Sequence, residues 1–291
     1  MILDCSKYVG PCRCGREHTL ETKKVVVEYH ALDKFDQYMD EVGLTGKRAV
    51  IYDTNTYNLP TLRHVRADQE IVLNAEGLHS EKGMIEDMMR QLDHPDVIVA
   101  VGSGTIMDFG RYPAYHLGIP FVAVPTLASS DGFTANICSI IIDGQKKSIP
   151  MQAAALVVCD LNVVSGAPLW LTVSGISDIL AKYISLADWK IAHLVSGEYY
   201  CPMVADLAQE ALTIMRKAAD DMAAGGKPDF EAMTMAQMIS GLTMQLLNHS
   251  RAASGAEHLM AHLVEMKPPR FENAHGMHGQ CVGVGTYLCA K

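Results

Sequence analysis

The run Val97-Ile98-Val99-Ala100-Val101 constrains the fold most. Five apolar residues without polar alternation describe a strand covered on both faces, as in parallel sheets flanked by helices. Similar segments surround it. Lys24-Val25-Val26-Val27-Glu28 is a short strand followed by an amphipathic stretch over residues 32–42. Arg48-Ala49-Val50-Ile51-Tyr52-Asp53 ends in the polar turn Thr54-Asn55-Thr56, and Ile71-Val72-Leu73 and Phe121-Val122-Ala123-Val124-Pro125 complete the series. Strands separated by helical patterns predict a mostly parallel sheet covered by helices.

After about residue 170 the character changes. Residues 173–194, 203–224 and 230–265 carry helical spacing, and Gly225-Gly226-Lys227-Pro228 is a loop signal between two of these stretches. Met233, Met235, Met238 and Met244 read as core filling. The expected architecture is an α/β domain of nucleotide-binding type over residues 1–168, followed by an all-helical domain over 169–291.

Composition narrows the partners. The net charge of −9 argues against nucleic acid and anionic membranes, both of which select basic surfaces. A small anion is still compatible, because a pocket can be locally positive. No apolar run reaches the roughly 18 residues of a membrane span, and the N-terminus lacks a secretory pattern. Eight cysteines scattered through 291 residues fit free thiols in a reducing cytoplasm. Cys12-Arg-Cys14, with Cys5 before and His18 after, has the residue types to clip a metal. Its single-residue spacing is tighter than the usual structural zinc pattern, so reduced thiols near a terminus are the plainer expectation.

Three groups of residues carry chemistry. The strand at 97–101 runs into Gly102-Ser103-Gly104-Thr105-Ile106-Met107-Asp108. A glycine pair at a strand-to-helix turn admits a pyrophosphate to backbone N–H groups and the positive helix end, although tight packing alone also calls for such a turn. Pro125-Thr126-Leu127-Ala128-Ser129-Ser130-Asp131-Gly132 ends the next strand. It is either a second ligand-facing loop or a Ser/Asp-rich turn. In the helical half, Asp178 lies in Gly175-Ile176-Ser177-Asp178, His258 and His262 sit one helical turn apart, and His275 and His278 follow. One carboxylate with two imidazoles suits a catalytic divalent metal, whereas a lone helical histidine is usually a satisfied core or surface residue.

Taken in order, Gly102-Ser103-Gly104-Thr105 to Asp108, the Pro-Thr-x-x-Ser-x-Asp-Gly loop, Gly-Ile-Ser-Asp178, Ser-Gly-Ala-Glu-His258 and His278-Gly-x-x-Val282 resemble the glycerol dehydrogenase, iron-containing alcohol dehydrogenase and dehydroquinate synthase superfamily. Ser250 to His258, and the Asp131-Gly132 loop followed by Lys146-Lys147-Ser148-Ile149-Pro150, look most like its sn-glycerol-1-phosphate dehydrogenases. The resemblance runs from about residue 20 to the end.

It implies a dehydroquinate synthase-like fold and a metal-dependent, reversible reduction of dihydroxyacetone phosphate by NAD(P)H. Asp178, His258 and His278 match the metal ligands, for zinc, nickel or iron(II). His262 and His275 match supporting or substrate-facing positions. Gly102, Ser103, Gly104 and Thr105 match the pyrophosphate turn, with Asp108 supporting it. Asp53 and Asn55 match the adenosine end, and Thr126 and Ser129 the nicotinamide side. Asp131 matches a residue beside substrate and metal, and Lys146, Arg251 and His262 are candidates for the phosphate. Relatives continue with more helices after His-Gly-x-x-Val, so a truncated helical domain is expected, and with it a tendency to form homo-oligomers. Glycerol dehydrogenase activity, a cyclase like dehydroquinate synthase and a non-catalytic nucleotide-binding remnant are the competing expectations.

Overall fold

The computed structural model describes residues 1–266 and 276–291. In chain order the strands are β1 (Ile2–Asp4), β2 (Gly10–Pro11), β3 (Glu17–His18), β4 (Lys24–Glu28), β5 (Arg48–Asp53) and β6 (Gln69–Leu73). They continue with β7 (Val97–Gly102), β8 (Phe121–Pro125), β9 (Ile137–Ile142), β10 (Gln145–Pro150) and β11 (Leu156–Asp160). The α-helices are α1 (Phe35–Glu41), α2 (Thr54–Tyr57), α3 (Lys82–Met89), α4 (Gly104–Leu117), α5 (Leu161–Val164) and α6 (Leu169–Leu180). The rest are α7 (Lys182–Ser196), α8 (Pro202–Ala223), α9 (Phe230–Leu247), α10 (Ala256–Glu265) and α11 (His278–Cys289).

The chain divides into two compact units. One comprises Met1–Ser6, Glu21–Leu127 and Gly132–Ala167, the other Lys7–Leu20, Ala128–Asp131 and Pro168–Lys291. Two short segments that a boundary at 168/169 assigns to the first half, residues 7–20 and 128–131, therefore belong to the helical unit.

The first unit is built on a seven-stranded sheet in the order β1-β4-β11-β8-β7-β5-β6. Six strands run parallel, and β1 pairs antiparallel with β4 at the edge. β5, β7, β8 and β11 are buried along their whole length, which is why their sequences show no alternation. β7 and β8 are direct neighbours with Gly102 opposite Pro125, so the glycine turn and the start of the Pro-Thr loop leave the sheet side by side. α4 presses on these strands through Gly110, where a Cβ would stand 2.7 Å from that of Ala100 and 2.8 Å from the Phe121 ring. Val26, Val50, Val99, Val122 and Val158 meet Phe35, Tyr38 and Met39 in the core. β9 and β10 form a hairpin turned at Asp143 and Gly144, both at positive φ.

The second unit holds the β2–β3 pair and α6 to α11. Residues 169–196 are long and apolar enough, by composition, to cross a membrane. They include Asp178 and Lys182, both fully buried and ion-paired, the pattern of an interior helix. The helical pattern over 230–265 is interrupted in the structure. Asn248 takes a left-handed conformation at φ 50 and ends α9, because a short polar side chain tolerates that region, and Gly255 opens α10.

Candidate functional site

Asp178 on α6, His258 on α10 and His278 at the start of α11 bring one donor atom each within 4.8 Å of one another. Their helices can approach so closely because glycines line the contacts. A Cβ at Gly279 would stand 1.9 Å from the Ser174 carbonyl oxygen, and one at Gly285 2.4 Å from that of Glu257. Glycine at these two positions lets α11 lie against α6 and α10.

The imidazoles are oriented by carboxylates. His258 Nδ1 lies 2.8 Å from Glu257 Oε1, and His278 Nδ1 lies 2.7 Å from Glu265 Oε1. A carboxylate only accepts, so each Nδ1 carries the proton and each Nε2 is the atom available to a metal. His258 Nε2 is directed at Asp178 Oδ1, 3.4 Å away. This donor chemistry fits a divalent cation: one hard oxygen and two imidazole nitrogens of fixed tautomer.

A buried lysine completes the cluster. Lys182 Nζ donates to the Asp178 carbonyl at 3.0 Å and lies 2.9 Å from Asp131 Oδ2 and 3.5 Å from Asp178 Oδ1. The Asp131 N–H donates to Asp178 Oδ2 at 3.0 Å, and Ser240 Oγ donates to Asp131 Oδ2 at 2.8 Å. Burial alone would push the Asp178 carboxyl up, but the Lys182 ammonium and the His258 hydrogen bond outweigh it and hold it far below the usual carboxylate range. For His258, burial works against the proton, yet hydrogen bonds to Asp178 and Glu257 raise its pKa above the ordinary histidine value.

Of the other helical-half residues, His262 stacks with His278 at a centroid separation of 5.8 Å and forms a second close group with Glu265 and His278. His275 lies outside the described residues. Arg251 is not among the metal group: its Nε and Nη2 donate to the two oxygens of Glu198 at 2.7 Å each. Lys146 is in the first unit, on the exposed arm of the β9–β10 hairpin.

In the first unit Gly102 ends β7, Ser103 precedes α4, and Gly104 and Thr105 open it. A Cβ on Gly104 would meet nothing within 4 Å. Open space over a helix N-terminus is what a pyrophosphate requires. Asp108 is buried, accepting from Ser80 Oγ at 2.9 Å and from the Ser139 N–H at 3.1 Å, and burial pushes its pKa up. It braces the start of α4. Asp53 caps α2, accepting from the Thr56 N–H at 2.8 Å, while Asn55 is exposed. The Thr126 N–H donates to the Gly102 carbonyl, and Thr126 is buried. Ser129 belongs to the second unit, where Ser174 Oγ donates to its carbonyl at 3.5 Å.

Residues 26–168 match the iron-containing alcohol dehydrogenase family. Over 300 aligned residues the chain is 33% identical to a glycerol-1-phosphate dehydrogenase [NAD(P)+] of Halalkalibacterium halodurans, covering 99% of this chain and 75% of that one. The chain belongs to this family. The enzyme of the same name from Bacillus licheniformis is 34% identical, again across 99% of this chain and 75% of its own. Among solved structures, a glycerol dehydrogenase from Schizosaccharomyces pombe shares the fold with a TM-score of 0.71 and 21% identity, over 91% of this chain and 69% of that one. Membership makes the chain an NAD(P)-dependent, metal-using dehydrogenase.

Sequence reasoning missed Lys182, Glu257, Glu265 and Ser240. Lys182 had a signal, since it stands four residues after Asp178 and so shares its helical face. Glu257 and Glu265 flank the histidines in sequence and read as ordinary helix charges.

Proposed function

We propose that the chain reduces dihydroxyacetone phosphate reversibly to sn-glycerol 1-phosphate, with NADH or NADPH. The observation carrying this is the Asp178–His258–His278 donor set in a chain similar to glycerol-1-phosphate dehydrogenases over 99% of its length. Those three residues would hold one zinc, nickel or iron(II) ion, which when bound polarises the substrate carbonyl while the nicotinamide supplies the hydride.

The chain's own residues do the rest. Glu257 and Glu265 keep both imidazoles aimed through Nε2. Asp131, 2.9 Å from Lys182 Nζ through Oδ2, is proposed to orient a substrate hydroxyl. Reduction would leave the carbonyl oxygen needing a proton, and His262, grouped with Glu265 and His278, is the proposed donor. In the second unit, His262 and Arg251 are the proposed phosphate partners, with Arg251 exchanging Glu198 for the dianion. Gly102, Ser103, Gly104 and Thr105 would hold the pyrophosphate on the α4 N-terminus, with Asp108 bracing them. Asp53 and Asn55 would take the adenosine ribose, and Thr126 and Ser129 the nicotinamide side. A cytoplasmic enzyme acting without nucleic acid or membrane fits the net charge of −9 and the eight free cysteines.

The test is oxidation of NADH and NADPH with dihydroxyacetone phosphate, before and after chelation and with zinc or nickel restored. Metal-dependent oxidation yielding the sn-1 phosphate is expected, with unphosphorylated dihydroxyacetone inert. Turnover that prefers the unphosphorylated ketone would assign a glycerol dehydrogenase. Turnover that survives complete metal removal would overturn the ligand assignment.

A further inference from the structure

We propose that Cys12, Cys14, His18 and Cys201 form a second metal site, a closed structural centre for one zinc ion held by three thiolates and one imidazole. One donor atom from each of the four residues falls within 4.8 Å of the others. Cys12 Sγ and Cys201 Sγ are 3.9 Å apart, and His18 Nε2 lies 3.4 Å from Cys14 Sγ and 3.3 Å from Cys201 Sγ. A zinc tetrahedron with bonds of about 2.3 Å to sulfur and about 2.0 Å to nitrogen has edges of about 3.8 Å between sulfurs and about 3.5 Å from sulfur to nitrogen. The three separations match those edges. A disulfide would need sulfurs about 2.05 Å apart, and all eight cysteines are free.

The surrounding structure prepares each ligand. His18 Nδ1 lies 2.7 Å from the Leu246 carbonyl, which only accepts, so Nδ1 carries the proton and the Nε2 lone pair faces the sulfurs. β2 and β3 pair Gly10 with His18, and inside that hairpin the Cys12 N–H donates to the Arg16 carbonyl and the Gly15 N–H to the Cys12 carbonyl. Gly15 sits at φ 86, a conformation that favours glycine, and the tight turn brings Cys12 and Cys14 to one point. Cys201 immediately precedes α8, and burial pushes its thiol up to about 11, so a bound metal must displace its proton. Burial pushes the Cys14 thiol up, but hydrogen bonds from Tyr199, the Arg16 backbone, Cys12 and Cys201 lower it to about 6.

His18 and Cys201 are buried, and four protein ligands leave no position for substrate, so the centre is structural. It staples residues 7–20 to the start of α8 and the end of α9 within one unit. The ligand missing from the sequence pattern is Cys201, 183 residues beyond His18. Cys5 is not part of the group. Binding converts the remaining thiols to thiolates and releases their protons, with no change of oxidation state.

Cobalt(II) titration of the reduced full-length protein tests this directly. The Asp178 centre contains no sulfur, so a thiolate-to-cobalt charge-transfer band in the near ultraviolet reports the cysteine site alone. The expected result is such a band saturating at one cobalt per chain in Asp178→Ala and within two per chain in the wild type, bleached by zinc and lost in Cys14→Ser and Cys201→Ser. If those serine variants fail to fold, the wild-type titration decides alone. Full cobalt loading without a thiolate band overturns the proposal, as does a Cys12–Cys201 disulfide in the protein as isolated, seen by intact mass without reductant. Neither result depends on which substrate the enzyme reduces.

Discussion

Replacing Gly279 with alanine should disable the Asp178–His258–His278 centre without touching a ligand. The new Cβ would stand 1.9 Å from the Ser174 carbonyl oxygen and 2.6 Å from its carbon, both backbone atoms of α6. Ordinary contact begins at 3.4 Å, so the start of α11 must withdraw by about 1.5 Å. His278 is the preceding residue and moves with it. Metal–imidazole bonds tolerate only about 0.2 Å of error, so His278 would leave coordination. Loss of an orienting partner alone costs about 10–100-fold in metal affinity, and displacing a ligand should reach the upper end of that range, about 2.8 kcal/mol. Overpacking adds about 1–3 kcal/mol of destabilisation, at about 2–4 °C per kcal/mol. Competition with a chromogenic chelator measures the affinity, and a thermal melt the stability. Gly283→Ala, one turn along the same helix, is the control. Its Cβ would meet only the Ser177 side chain, at 3.0 and 3.1 Å, and affinity should stay within about threefold. Wild-type affinity in Gly279→Ala, or equal losses in both variants, would refute the argument from close backbone approach.

Other perturbations test the cluster around the ligands. Glu257→Gln should lower metal affinity about 10–100-fold by weakening the hold on His258 Nδ1, and an unchanged dissociation constant would remove Glu257 from that role. Metal bound at His258 Nε2 must displace a proton whose pKa is raised. Affinity should therefore climb about tenfold per pH unit below the His258 titration and level off above it. Asp178, held far below the usual range, adds no slope near neutrality. Calorimetry across that range would show a flat profile if His258 were not a ligand. Lys182→Met leaves Asp131 and Asp178 buried without their cation, and the metal-free protein should lose about 3–5 kcal/mol, recovered in part by added zinc. Melting with and without zinc checks both halves, and an unchanged metal-free midpoint would contradict the first.

The legible parts of the fold were those written in local pattern. β4, β5, β7 and β8 are apolar runs bounded by polar turns, and burial on both faces produces such runs. β11 carries the same signature in Leu156-Val157-Val158-Cys159-Asp160 and was passed over, although it lies between β4 and β8. The β9–β10 hairpin had its own marker, Asp143-Gly144 after three isoleucines. At the site, Asp178, His258 and His278 came from motif order. Their partners did not, because a glutamate beside a histidine looks the same whether it solvates a helix face or sets a tautomer. Cys201 is beyond any local reading, since only the folded chain brings it to Cys12 and Cys14.

Glu257 Oε1 accepts two hydrogen bonds at 2.8 Å, from the Gly255 N–H and from His258 Nδ1. One atom thus closes the first turn of α10 and sets the ligand ring. Fraying of that turn and misalignment of the imidazole are a single opening event, so a cation captured at Nε2 must slow it. Protection of the Gly255 amide against hydrogen exchange then becomes a direct gauge of metal occupancy, readable with neither substrate nor nucleotide present.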